Sequence, residues 1–96
     1  MTADEAFKQT VDTIMSEMDA DTEKAIFDKF NDEIRKSIED GIFVAQIHIT
    51  KSTASFSTMK YLCTKFKNKF GFNVKLEYGL DRNYFVTIDW FKNDEA

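Results

Sequence analysis

Few residues in this chain could do chemistry, and their spacing decides what that chemistry would be. There is one histidine, His48, and one cysteine, Cys63. A thiol and an imidazole make a nucleophilic pair when they come within hydrogen-bond reach. Cys63 falls on the apolar stripe of a helix, and His48 on the strand face turned the other way, so a sheet should stand between them. The expected role of Cys63 is that of a small buried hydrophobe. His48, Glu77 and Asp89 share the outer strand face, and one histidine with two carboxylates is a known metal-ligand set. With no spacing motif, and with Lys75 on the same face, a solvated strand face is the better reading. Lys51-Ser52-Thr53 leads into a helix whose N-terminus would attract phosphate. No glycine-rich loop lets backbone amides converge there, and N-capping by Thr53 or Ser55 accounts for the residues. No catalytic, metal or cofactor-binding residue is therefore assigned; no cofactor and no enzymatic activity are expected.

Charge is more informative in its distribution than in its total. Residues 1–40 carry twelve acids and five bases, residues 41–76 six lysines and no acid, and residues 77–96 five acids and two bases. The net charge is −4. Lys60, Lys65, Lys67 and Lys69 lie mostly outside the apolar stripe of one helix and form the candidate nucleic-acid face. Against that use stand the acidic total and the lack of an exposed aromatic among these lysines. A solvated face, or pairing with the acidic helices alongside, is the competing reading.

These side chains must be positioned by a single domain, since 96 residues leave no room for two. There is no proline, and a lone cysteine cannot form an internal disulfide. No leader segment or membrane span is legible, and a cytoplasmic or virion location is expected. Thr2-Ala3-Asp4-Glu5 reads as a capping box. Phe7, Val11, Ile14, Met15 and Met18 then fall at helical spacing, giving a first helix over about 3–20 that could be an appended element. Asp21 or Thr22 can cap a second helix with Ile26, Phe27, Phe30, Ile34 and Ile38 inward, ended by Gly41. Because Asp19–Thr22 contains neither glycine nor proline, one helix over 4–39 is an open alternative. Residues 42–50 change to a period of two, with Phe43, Ala45, Ile47 and Ile49 on the dry face. A third helix carries Phe56, Met59, Leu62, Cys63, Phe66 and Phe70 inward and stops at Gly71. Residues 72–78 alternate cleanly. A loop of three residues, with Asn83 left-handed, would set Lys75 opposite Asp89; a loop of five residues is also possible. The last strand, 84–91, puts Tyr84, Val86, Ile88 and Trp90 on the dry face. The last five residues should fray.

The expected architecture is α+β: a two-layer sandwich in the order α-α-β-α-β-β. Its three-stranded mixed sheet, a split βαβ unit, has strand order 1-3-2 and helices on one face. The third strand is placed centrally because both of its faces are hydrophobic. The outer face is unusual for an open sheet. Ile42, Val44, His48, Phe85, Thr87, Asp89 and Phe91 make an apolar patch with a polar rim, the candidate protein-binding face. It should be covered by the first helix, a second copy or a protein partner.

Glu33–Phe43, the run Phe70-Gly71-Phe72-Asn73-Val74 and the closing Tyr84–Trp90 together resemble a loose group of short tailed-phage proteins, over roughly residues 30–91. The resemblance implies a phage accessory protein, virion-associated or directed at a host factor such as a defence system. It lends no site residues. The expectation is thus a non-enzymatic protein that works by protein–protein contact, possible as a homodimer, with nucleic-acid binding as the alternative and no membrane role.

Overall fold

The computed structural model describes residues 1–92; most of the terminal stretch expected to fray lies outside them. The chain begins with the capping box. The Thr2 amide donates to Glu5 Oε1 at 2.9 Å, the Glu5 amide donates to Thr2 Oγ1 at 3.2 Å, and α1 runs Ala3–Glu17. Met18 and Asp19 are both extended, with ψ of 131° and 136°, and this pair breaks the helix without glycine or proline. The continuous helix over 4–39 therefore does not form. The cap of α2 (Ala20–Glu39) is Asp19, not Asp21 or Thr22; its carboxylate accepts the Asp21 amide at 3.1 Å. Gly41, at φ 71°, ends α2: its amide donates to Ile38 O at 3.0 Å, and the Ile42 amide to Ser37 O at 2.8 Å. These are the two bonds of a Schellman motif.

β1 (Val44–Thr50), α3 (Phe56–Phe70), β2 (Asn73–Glu77) and β3 (Asn83–Asp89) complete the fold. The sheet has the order β1-β3-β2, and both ladders are antiparallel. β1 and β2 thus run parallel with β3 inserted between them, the split βαβ arrangement. α2 packs on β1 and α3 on β2, so these two helices cover one face. The core joins Ile26, Phe30 and Ile34 of α2 and Met59, Leu62, Cys63 and Phe66 of α3 to the inward residues of β1 and β3. Phe30 and Phe27 each meet Phe66 edge-on at 5.2 Å. Such aromatic pairs add about 0.5–1.5 kcal/mol beyond their buried area. Tyr84 is buried, and its hydroxyl donates to Ala54 O at 2.9 Å, which anchors β3 to the loop before α3.

Aromatic and apolar residues at element ends depart from their expected faces. Phe43 precedes β1 and is exposed, as are Ile38 and Phe70. Phe56, the first residue of α3, is also at the surface, against Tyr78 at 5.4 Å. At each of these positions the layer of packed elements has run out. The β2–β3 hairpin takes the longer loop. Lys75 pairs with Thr87 and Asn73 with Asp89, so Lys75 does not face Asp89. The left-handed residue is Gly79, at φ 74°, not Asn83. A Cβ at Gly79 would lie 2.5 Å from Asn83 O and 2.9 Å from the Phe85 ring, so only glycine closes this loop. The Asp81 carboxylate accepts the Asn83 amide at 2.9 Å, and Lys51 Nζ donates to Gly79 O at 3.0 Å while lying over the Tyr78 ring.

Candidate protein-binding surfaces

α1 lies against α3, on the side away from the sheet, and does not cover the outer sheet face. On that face Ile42 and Val44 are exposed, as is His48. The His48 ring meets Phe85 edge-on at 4.7 Å. Phe85, Thr87 and Asp89 are half-buried along β3. Phe91 leaves the patch. β3 ends at Asp89, whose carboxylate accepts the Phe91 amide at 2.8 Å, and the turned chain brings the Phe91 ring to 5.1 Å from Phe43. The face therefore carries one large aromatic in its middle, and a second apolar group sits at its end where α2 runs into β1.

Cys63 sits in the core, and burial pushes its thiol pKa up to about 12. A thiol so displaced is not a nucleophile near neutral pH. His48 is exposed on a strand whose core residues, Ala45, Ile47 and Ile49, point the other way. Among the described residues no three of His, Cys, Asp and Glu are grouped to hold a metal ion. Lys51 of the suggested anion site is engaged with the hairpin loop, and the Ser55 hydroxyl caps α3 by accepting the Thr58 amide at 3.2 Å.

The lysine-bearing side of α3 is where the structure adds something. Met59, Leu62, Cys63 and Phe66 point into the core. Lys60, Tyr61, Thr64, Lys65 and Lys69 point the opposite way, toward α1. Between the two helices runs an open cleft of about 690 Å³. Phe7, Val11 and Ile14 give it an apolar wall on the α1 side. On the α3 side the Tyr61 ring alternates with lysines, whose methylene stems are apolar and whose heads are charged. Lys65 is held across to α2 by Glu23, with Nζ donating to both carboxylate oxygens at 2.9 and 3.1 Å. That hydrogen bond holds the Lys65 ammonium above its usual pKa. Among the described residues Lys60, Lys67 and Lys69 form no ion pair. Of the candidate nucleic-acid face, Lys60, Lys65 and Lys69 come together along the cleft, whereas Lys67 does not line it.

Sequence reasoning missed this cleft. Both walls are legible, the apolar stripe from Phe7 to Met18 and the outward lysines, and the acidic helices are expected alongside those lysines; the open cleft between them is not. The available signal was that α1 has a full apolar stripe although two helices already suffice to cover three strands.

No family model matches this chain, and neither the curated proteins nor the solved structures compared with it gave a match. No described helix is long and apolar enough to cross a membrane.

Proposed function

We propose that this protein is a non-enzymatic interaction module that binds an acidic amphipathic helix of a partner protein in the cleft between α1 and α3. The carrying observation is the make-up of that cleft: an apolar wall from Phe7, Val11 and Ile14 beside Lys60 and Lys69, which form no ion pair among the described residues. A helix in a groove is read by apolar anchors on one face, and flanking acids would meet the lysines. The outer sheet face, with exposed Ile42 and Val44 beside His48 and Phe85, is a second and flatter protein-contact surface. The resemblance over residues 30–91 supplies the setting for this reading: a phage accessory protein, in the virion or acting on a host factor. Nucleic-acid binding is the weaker reading, since Lys65 is committed to Glu23 and the chain carries a net charge of −4.

The test is a titration of isotope-labelled protein with a synthetic acidic amphipathic helical peptide, followed by amide shifts. Saturable shifts at Tyr61, Thr64 and Asn68, lost in the double variant Lys60→Glu/Lys69→Glu, support the reading. Shifts confined to His48 and Phe85 would move the interface to the sheet. A response of the lysines to mixed-sequence DNA or RNA, with none to the peptide, would replace protein by nucleic acid.

A further inference from the structure

We infer that the helix received by this cleft is α1 of a second copy of the chain, so that the protein is a dimer in which the two α1 helices pack against each other. The inference rests on the cleft reading above and names its occupant.

Three features of the chain carry it. The first is charge. α1 holds four acids and one lysine, net −3, whereas α3 holds four lysines and no acid, net +4. The acidic amphipathic helix that the cleft calls for is thus already encoded in the chain. At 100° per residue Asp4 and Glu17 lie on opposite sides of the Phe7, Val11 and Ile14 wall, placed to reach lysines on a neighbouring copy. The second is apolar surface. Phe7 is 65% and Met15 53% exposed, and of the whole helix only Ile14 is buried. A helix of 15 residues is marginal unless its apolar face is packed. Two α1 helices laid stripe to stripe would bury both faces at once. The third is closure. Each copy offers one helix and one cleft, so a two-fold arrangement satisfies both and leaves no free end to propagate a filament.

Sedimentation over about 10 μM to 1 mM tests this, the upper end being where even weak association shows. The expected species has twice the 11.2 kDa chain mass. Phe7→Asp and the double variant Lys60→Glu/Lys69→Glu should each weaken the dimer at least about tenfold, as expected on losing a central anchor or a complementary charge pair. Adding Asp4→Lys/Glu17→Lys to the double variant should restore dimerisation, because the charges are then exchanged across the interface. Circular dichroism confirms that each variant remains folded, and the restored variant shows this by its own assembly. A monomer at every concentration, or a dimer indifferent to all of these changes, overturns the inference. A monomer that still binds the acidic peptide at Tyr61 overturns the second-copy occupant while leaving the cleft reading intact. A monomer that ignores the peptide and carries a bound small amphiphile in its native mass spectrum overturns both.

Discussion

α1 and α2 are built alike and end differently. Both are capped by a side-chain oxygen, both carry an apolar stripe, and they are separated by two extended residues. α2 spends its stripe on the core: Ile26, Phe30 and Ile34 are at most 6% exposed. α1 buries only Ile14 and leaves Phe7 65% exposed. The difference arises because α2 and α3 together already cover the inner face of three strands. A third helix can only pack on the back of α3, and that surface is polar at Ser57, Thr64 and Asn68. An amphipathic stripe therefore guarantees that a helix has a face to bury, and says nothing of what buries it.

The largest test of this contrast is a matched pair of truncations. Phe30→Ala removes a fully buried ring that packs on Phe27 and Phe66. It should cost about 3–5 kcal/mol in urea unfolding, from lost transfer energy and the cavity left behind. Phe7→Ala, measured at a concentration where the chain is monomeric, should stay within about 0.5 kcal/mol of the parent, as for an ordinary surface change. A loss of several kcal/mol at Phe7 would mean that α1 belongs to the folded core after all.

Alkaline pH gives a second, somewhat smaller separation between core and appended helix. The Cys63 thiol has its pKa raised from 9.0 to about 12 by burial. Because the folded-state value is the higher one, its contribution is fully present below pH 9 and is lost as pH rises toward 12. Stability should fall across that window, and Cys63→Ala should flatten the fall relative to the parent, at the expense of a small cavity. A thiol reagent should label Cys63 only through opening of the core, so Phe7→Ala should leave the labelling rate of the monomer unchanged. Labelling that quickens with changes in α1 would place the two in one cooperative unit.

The hairpin supplies the next test. Gly79→Ala forces a side chain to a left-handed φ and onto Asn83 O and the Phe85 ring. About 1–3 kcal/mol of strain is expected in urea unfolding, with chemical-shift changes concentrated at Lys51, Phe85 and Asn83. Changes that spread instead to α1 would show that the hairpin and α1 are coupled.

How much of this was legible beforehand differs between the same regions. The order of elements, the central position of β3 and the stops at Gly41 and Gly71 follow from period and capping chemistry, which are local. The hairpin register did not follow. Loops of three and five residues both keep each strand's alternation, and the choice was made by which residue could take a positive φ without a clash; Gly79 could do so more readily than Asn83. Phe91 was assigned by alternation to the same face as Phe85, but the Asp89 side chain turns the backbone first. Alternation puts Phe43 inward and helical spacing puts Phe70 inward, and both rules fail where the opposing layer stops. Of the candidate sites, the lysines of α3 were visible as an outward stripe. Their partner surface was not, because the docking of α1 depends on space left by the other elements rather than on any property of residues 3–17.

The smallest effect is local to the two caps. Thr2→Ala removes one half of the α1 capping box, and Asp19→Ala removes the cap of α2. Each lost cap is worth about 1 kcal/mol to its own helix. In α2 that loss should appear in global unfolding, because the helix cannot open without the core. In α1 of the monomer it should appear only as faster amide exchange over the first turns, with the urea midpoint unmoved, because local opening leaves Ile26, Phe30 and Ile34 packed. If α1 is instead held in a second copy's cleft, the same substitution should lower the dimer constant, and the exchange of its amides should slow as protein concentration rises. The two readings of α1 thus part on a single variable, concentration, in a variant that touches neither cleft wall.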